Sequence, residues 1–343
     1  MKPKHLITFA VVCLLTLPLA LFSKTHGQNS PATAQNYRLS GPYTHQNLTV
    51  FLIHGKDQTT KTFLTLQEAL AQKKVKVYET KDVNELAIQN LSNQDVYVQS
   101  GDIVRGGEQD RMISIDFIVP PKSGRMPIAA FCVESGRWSK RGNEQAAEFS
   151  SSDNSVATRE LKLAAKSANS QQAVWQNVSV AQEKLSRNVG ARVNSPVSES
   201  SLELAVENSK VKETSAAYIS SLEGILKNKS DVIGYVFAIN GKVNSADVYA
   251  STALFAKLWP KLLKASAVEA IAELNKHSDD TQPIASETVE SFLTESEKPA
   301  AAAKEVTERV RMVTREDDKN VLFETQDRRQ KDGWVHRNYI KKQ

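Results

Sequence analysis

Short apolar runs alternate with polar turns over residues 37–138, which is the pattern of a sheet rather than of a helical domain. Leu48–His54 is almost entirely apolar and predicts a buried strand. Residues 62–74 have helical spacing and predict one amphipathic helix. We expect residues 86–91 to pair with Val96–Val98 through the polar turn between them. The other strand-like runs are 75–78, 103–104, 112–119 and 128–133.

Helical spacing replaces this pattern after residue 139. Residues 143–185 and 199–226 place apolar side chains at intervals of three and four, as expected for helices with one buried face. Ser251 can cap a final helix in this part of the chain. Pro260 lies within that helix, where it should produce a kink or mark two abutting helices.

Two further sets of strands interrupt and follow the helical part. Asn240-Gly241 is a strong tight-turn signal between Val232–Ile239 and residues 243–249. Residues 276–304 are acidic and Ala-rich, which predicts a linker containing at most one loose helix. Residues 305–343 predict a C-terminal β segment that either completes the main sheet or stands apart. The whole pattern predicts an α+β fold: a mainly antiparallel N-terminal sheet packed against a helical second half, with short C-terminal strands.

Residues 1–27 have the features of a secretory signal peptide. Lys2 and Lys4 precede an uncharged apolar run over residues 6–22, and small residues follow it. The alternative is an uncleaved membrane anchor, although the run is short for a bilayer span. Cleavage would leave residues 28–36 as a disordered linker and give a secreted or periplasmic protein without a stable membrane span.

The net charge of the chain does not indicate a nucleic-acid partner once the charges of the leader are subtracted. The 343 residues include 44 basic and 39 acidic side chains, a formal net charge of +5. Three of the lysines lie in the leader, which has no acidic residue, so cleavage lowers the net charge to +2. Such a balance gives no broad basic surface for nucleic acid. The mature chain keeps one cysteine, Cys132, and can form no internal disulfide.

Several reaction classes have no motif in this chain. We find no Gly-rich phosphate loop with its lysine, no GxGxxG after a strand and no GxSxG elbow. HExxH and paired-cysteine spacings are also missing, and the four histidines beyond the leader are far apart in sequence. We therefore expect neither a cofactor nor a metal. Cys132 lies between apolar neighbours, which favours a small buried side chain over a thiolate nucleophile.

Charged residues concentrate in two turns of the β-rich part, at residues 105–111 and 134–138. The glycine pair permits positive φ or close approach to a ligand, arginines can grip a phosphate or carboxylate, and a tryptophan offers a flat face to a sugar or base. Two carboxyl groups can act as acid and base if they lie close, because repulsion raises one pKa. The candidate catalytic residues are Asp110 and Glu134, and the candidate ligand-binding residues are Arg105, Gly106, Gly107, Gln109, Arg111, Arg137 and Trp138.

These residues support three hypotheses. The leading one is an exported binding or accessory domain that holds a phosphorylated or sugar-like anion through its arginines. The second is a hydrolase of a glycosidic or phosphoester bond that uses Asp110 and Glu134. The third is a structural or interaction protein in which the charged residues pair with one another and brace the hairpin internally.

Two segments resemble a known domain family. GDIVRGGEQDR, at residues 101–111, and FCVESGRW, at residues 131–138, are similar to the ARG and Rhodanese-Phosphatase-superfamily-associated Protein domain, in which ARG denotes ADP-ribosylglycohydrolase. A weaker likeness continues from the Asn240-Gly241 turn to residue 263. The resemblance implies one α+β domain over residues 37–275, β-rich to 138 and helix-rich from 139, and a family-level role for the charged turns. The family name records association with enzymes of ADP-ribose and phosphate chemistry and implies no particular reaction.

Overall fold

The computed structural model describes residues 37–144, 147–155, 158–275, 284–330 and 333–342. The predicted leader, residues 1–27, and the predicted linker at 28–36 lie outside the described residues. Within the described ranges, no helix combines the length and apolarity that a membrane span requires.

Seventeen strands and seven helices occur in the described ranges. The first nine strands are β1 (Arg38–His45), β2 (Leu48–His54), β3 (Leu64–Thr65), β4 (Val75–Glu79), β5 (Glu85–Asn90), β6 (Val96–Val98), β7 (Asp102–Gly106), β8 (Arg111–Ile113) and β9 (Phe117–Val119). The other strands are β10 (Met126–Cys132), β11 (Phe149–Ser155), β12 (Val232–Ile239), β13 (Lys242–Tyr249), β14 (Ala301–Glu305), β15 (Val310–Glu316), β16 (Asn320–Asp327) and β17 (Trp334–Lys341). The helices are α1 (Leu66–Ala71), α2 (Arg159–Lys166), α3 (Gln171–Val189), α4 (Leu202–Val206), α5 (Ser209–Leu222), α6 (Thr252–Ala272) and α7 (Ser286–Glu297).

The strands form three sheets. The largest has eight antiparallel strands in the order β1-β2-β12-β13-β17-β16-β15-β14. A six-stranded sheet has the order β11-β7-β8-β10-β5-β4, and β3, β6 and β9 form a small third sheet. The predicted α+β class with a mainly antiparallel sheet is confirmed, and the C-terminal strands complete the large sheet because β17 pairs with β13.

The central strands β2 and β12 of the large sheet are buried on both faces, which explains their nearly uninterrupted apolar sequences, whereas the edge strands β1 and β14 are exposed or half-buried. Val50 and Leu52 of β2 belong to the core shared with helix α6, whereas Phe51 and Ile53 point into a second core that includes Phe292 of α7. The alternation of side chains along β2 therefore serves two cores at once.

Side-chain caps begin most of the helices where the sequence changes from polar to apolar. The hydroxyl groups of Thr158, Ser170, Ser201 and Ser251 accept backbone N–H groups in the first turns of α2, α3, α4 and α6. The expected cap at Ser251 is thus confirmed. Pro260 lies inside a continuous α6, so the alternative of two abutting helices is wrong.

Several local predictions are wrong. Residues 86–91 do not pair with Val96–Val98: β5 lies between β4 and β10, whereas β6 lies between β3 and β9 in another sheet. The helix expected at 62–74 is reduced to α1, because Leu64–Thr65 pairs with β6 first. The region read as helical from residue 143 contains strand β11, a polar segment that pairs with β7.

The segment predicted as a linker, 276–304, contains packed structure. Val289 and Leu293 of α7 are buried, and Ala301–Glu305 forms edge strand β14. Most of the acidic residues of α7 lie on its exposed face, whereas Val289, Phe292 and Leu293 are buried together with Glu297.

Candidate functional site

The turn between β7 and β8 carries the first predicted site residues. Val104 pairs with Arg111 across the two strands, and the glycines between them adopt positive φ, 125° at Gly106 and 56° at Gly107. A Cβ atom at Gly107 would lie 2.5 Å from the ring of Phe149. The requirement for glycine at position 107 therefore comes from the backbone conformation and from packing within the protein.

Asp110 and Glu134, the predicted acid–base pair, meet in the interior with no solvent exposure. The Glu134 carboxylate accepts the backbone N–H of Asp110 at 3.1 Å. Nη2 of Arg137 lies 2.8 Å from Glu134 Oε2 and 3.4 Å from Asp110 Oδ1. Nη1 of Arg141 lies 3.1 Å from Asp110 Oδ2 and 3.6 Å from Glu134 Oε1. Each carboxylate is thus shared by two guanidinium groups.

These surroundings move the pKa values of the two carboxyl groups in opposite directions. Burial and the neighbouring Glu134 raise the pKa of Asp110 above its ordinary value. Burial also acts to raise the pKa of Glu134, but hydrogen bonds from Arg137, Ser198 and a backbone amide outweigh it, so that this pKa is lowered. Such a split distinguishes an acid from a base in carboxylate pairs.

Arg105 extends these ion pairs toward the surface. Its guanidinium lies 3.1 Å from Glu207 and 3.8 Å from both Glu144 and Glu203. The ion pairs join eight residues, called here the charged cluster: Arg105, Asp110, Glu134, Arg137, Arg141, Glu144, Glu203 and Glu207. Five carboxyl groups face three guanidinium groups, so the charged cluster has an acidic excess.

The other predicted ligand-binding residues lie in separate environments. Arg111 is 2% exposed, and its Nη2 lies 3.1 Å from Oε1 of Glu79 while its Nη1 donates to the sulfur of Cys132. Gln109 is fully buried, and neither atom of its amide has a hydrogen-bond partner in the described structure. Trp138 is 56% exposed. The structure therefore brings together Arg105, Asp110, Glu134 and Arg137, with both glycine carbonyls accepting from Arg137. Gln109, Arg111 and Trp138 adjoin these residues in the chain but have the different partners or exposure just described.

Cys132 has the environment of a buried structural thiol. It is fully buried, and burial raises its pKa to about 11, so the thiol stays protonated near neutral pH. Among the described residues, no group of three or more His, Cys, Asp or Glu side chains has the geometry to hold a metal ion.

Half of the charged cluster was not identified from the sequence. Arg141 follows Arg137 by four residues and Glu144 follows Arg141 by three, so both were open to detection as an extension of the predicted turn. Glu203 and Glu207 belong to the region of α4, about 70 residues beyond Glu134. Their position on a helical run gave no local signal, and only the fold brings them to Arg105.

A second buried cluster lies on the large sheet around His336. Its Nδ1 is 2.6 Å from Oδ2 of Asp116, and its Nε2 is 3.0 Å from Oδ1 of Asp247. Ionised carboxylates only accept hydrogen bonds, so when both aspartates are ionised both ring nitrogens must donate and the ring is an imidazolium; the lowered pKa values of the aspartates and the raised pKa of His336 favour this state. The ring stacks on Tyr249 with centroids 4.5 Å apart. A cavity of about 20 Å³ beside this triad has room for roughly one water molecule.

The charges of the triad support one another. Burial opposes ionisation of all three groups, yet their ion pairs prevail: the pKa values of Asp116 and Asp247 are lowered and the pKa of His336 is raised. The residues predicted from the sequence include neither His336, which is far from the other histidines along the chain, nor either aspartate. The available signal was a charged residue inside an apolar run, at position 116 in SIDFIV and at position 247 in SADVY.

Comparison with known proteins identifies one family. The sequence model of the ARG and Rhodanese-Phosphatase-superfamily-associated Protein domain matches residues 36–340, which includes both charged turns and the C-terminal strands. No curated protein and no solved structure matches the chain.

Proposed function

This chain belongs to the ARG and Rhodanese-Phosphatase-superfamily-associated Protein domain family, and from that premise we propose that it is a structural or interaction protein. In this proposal the charged cluster is an internal brace. The observation that carries it is the burial of Asp110 and Glu134, which have no solvent exposure and are each paired with both Arg137 and Arg141. Both carboxylates are therefore engaged by cations of the protein itself, although Glu134 Oε1 has an ion pair at 3.6 Å and no hydrogen bond in the described structure.

The brace would join three segments that are distant in sequence. Asp110 ends the β7–β8 turn, Glu134 follows β10, and Ser201 at the start of α4 donates to Asp110 at 3.4 Å. Glu203 adds a buried carboxyl group that accepts the Ser152 hydroxyl of β11 at 2.6 Å. A network of this kind sets the register of a turn against its neighbours, because a displaced strand would leave buried charges unpaired.

The electrostatics of the charged cluster give less support to an anionic ligand. Its acidic excess repels a phosphate or carboxylate, and its arginines already serve protein carboxylates. A phosphorylated ligand would have to displace these partners. A sugar that offers hydroxyl donors is compatible with the charge, but the carboxylates of Asp110 and Glu134 are already engaged by Arg137 and Arg141.

A hydrolase is the second candidate, and one observation favours it. The pKa values of Asp110 and Glu134 shift in opposite directions, as in pairs that work as general acid and base. This candidate requires an opening of the charged cluster, since both carboxyl groups are buried.

Arg137→Ala distinguishes these functions. In a brace, the change leaves two buried carboxylates with one guanidinium, and we expect the free energy of unfolding in urea to fall by about 3–5 kcal/mol. The matched control is Arg328→Ala, whose partner Glu305 is 56% exposed, with an expected loss below about 1 kcal/mol. Adding Glu134→Gln to Arg137→Ala should restore part of the stability, because it removes one unpaired charge.

The melting temperatures of the wild-type protein and of the same variants are to be measured with and without glucose 6-phosphate, AMP and 4-nitrophenyl glucoside. The brace predicts no stabilisation of the wild-type protein by these probes. A rise in melting temperature that disappears in an equally stable Arg137→Ala protein would support ligand binding instead. Release of nitrophenol by the wild-type protein, lost in a folded Asp110→Asn variant, would support the hydrolase.

We also propose that the protein is secreted or periplasmic. The support is the positively charged, apolar pattern of residues 1–27, followed by small residues. Expression of the full chain in a bacterial host should release a protein whose intact mass corresponds to a chain that begins near residue 28. A product that retains residue 1 and stays with the membrane fraction would favour the uncleaved anchor.

A further inference from the structure

A second polar cavity lies away from the charged cluster, at the turn end of the β12–β13 hairpin. Its volume is about 370 Å³, within the range of small-molecule sites. The walls come from the start of α2, the last turn of α6 and the first residues of β13, with Arg159, Glu269 and Asn244 among the lining residues. The cavity is thus assembled from three distant segments.

Two oxygen atoms in its wall lack the donors that their burial requires. Glu269 is 1% exposed, and its Oε1 accepts the backbone N–H of Arg159 and the side-chain amide of Asn244, both at 2.8 Å. Its Oε2 has no partner in the described structure. The amide nitrogen of Asn244 donates to Glu269, and the other atom of this amide, Oδ1, has no hydrogen-bond partner in the described structure. Asn244 is 6% exposed.

Unpartnered buried acceptors are costly, and each requires an explanation. The two unpartnered oxygens, Glu269 Oε2 and Asn244 Oδ1, belong to side chains that are hydrogen-bonded to each other, so they lie close together. The matching ligand group carries several N–H donors and a positive charge, which is the description of a protonated amine.

We propose that this cavity binds a small molecule through a protonated amine, which donates to Glu269 Oε2 and Asn244 Oδ1. The other acidic residues of the wall are less available. Glu160 pairs with Arg159 at 3.0 Å, and Glu273 pairs with Lys184 at 2.5 Å. Glu269 is therefore the carboxylate to which the ligand's charge is directed.

The ionisation of Glu269 gives the site a pH dependence. Burial raises its pKa to about 7, so the carboxylate that receives the amine forms as the pH rises through that value. Affinity for an amine should increase from pH 5.5 to pH 8.5, where an alkylamine is still protonated. The charged and titratable groups around Glu269 are Arg159, Glu160, Lys162, Tyr235, Lys242 and Glu273.

The test compares 1,4-diaminobutane with 1,4-butanediol, an uncharged molecule of the same length. Melting temperature and calorimetric titration of the full chain should show saturable binding of the diamine, stronger at pH 8.5 than at pH 5.5, and none of the diol. Glu269→Gln keeps the shape of the side chain and should weaken diamine binding by about tenfold or more. The matched control, Glu199→Gln, changes a residue that is 68% exposed and should bind as the wild type does.

Three results would overturn the proposal: equal binding of the diol, unchanged binding by Glu269→Gln, or no diamine binding at pH 8.5. If Glu269→Gln fails to fold, Asn244→Ala supplies the second variant, because it removes the Oδ1 acceptor and should weaken diamine binding. Stabilisation by Ca²⁺ but not by the diamine would also count against an amine. None of these outcomes depends on Arg137, so failure here and failure of the brace are separate results.

Discussion

Replacing His336 by alanine is expected to lower the free energy of unfolding by about 5 kcal/mol, at the upper end of the cost of breaking a buried ion pair. The imidazolium is 1% exposed and is shared by Asp116 and Asp247, which are 5% and 2% exposed. Without it, two buried carboxylates lose the cation that bonds to both, and Lys166 acts on them only through space. Urea unfolding followed by circular dichroism measures the loss.

His54 provides a control that separates the effect of removing a buried charge from the effect of removing an imidazole ring. His54 is also buried, but its carboxylate partner Asp231 is 50% exposed, so His54→Ala should lower the free energy of unfolding by only about 2 kcal/mol. If His336→Ala leaves too little folded protein, His336→Gln combined with Asp116→Asn and Asp247→Asn provides the second measurement. This neutral triad should be more stable than His336→Ala alone; a triple variant that is equally unstable would refute the charge argument.

The same triad should shape the pH dependence of stability. The lowered pKa values of Asp116 and Asp247 give a contribution that is present above about pH 3.8 and is lost as the pH falls through their folded values. The raised pKa of His336 gives a contribution that is fully present below pH 6.5 and is lost as the pH rises through its folded value. The triad therefore contributes most between these two limits, and the neutral triple variant should lack this dependence.

Arg111→Ala is expected to lower the free energy of unfolding by about 3–5 kcal/mol, because it leaves the Glu79 carboxylate, whose side chain is 5% exposed, with backbone N–H donors but without the cation that pairs with it. The change also removes the donor to the Val83 carbonyl, which Arg111 contacts at 3.1 Å. Urea unfolding is again the measurement. This residue was chosen from the sequence as a ligand contact, so the result bears directly on how the charged hairpin is used.

Arg192→Ala is the control for this prediction, since Arg192 and its partner Glu199 are both 68% exposed and should contribute less than about 1 kcal/mol. Adding Glu79→Gln to Arg111→Ala should recover part of the loss by removing the unpaired charge. A folded Arg111→Ala protein with wild-type stability would contradict the view that this arginine stabilises the interior.

The predicted hairpin around Asn240-Gly241 shows which structural features a local sequence pattern can predict. Both of its strands and its turn are where the sequence placed them, because apolar runs and a residue pair suited to positive φ are local properties. The pairing predicted between 86–91 and Val96–Val98 was wrong because a polar turn between two apolar runs is equally compatible with two strands of different sheets. The side-chain amide of Asn90, at the end of β5, donates to the carbonyls of Gln94 and of Val119 in β9, and so joins the six-stranded sheet to the three-stranded sheet.

The candidate site shows the same division. The sequence located Asp110, Glu134 and Arg137, since charged residues beside apolar strands are visible locally. It could not show that Glu203 and Glu207 meet Arg105, or that Asp116 and Asp247 share His336 from positions 131 residues apart along the chain. Those contacts depend on how the sheets and helices pack.

By itself, the sequence determined the α+β class, the buried strands and the two charged turns, because side-chain periodicity and turn chemistry act over a few residues. The tertiary structure alone decided which strands pair and which charges meet. It also decided that Asp110 and Glu134 are enclosed by arginines while Glu269 lines an open cavity. The physical reason is that burial and ion pairing depend on distances through space, which a local pattern of residues does not specify.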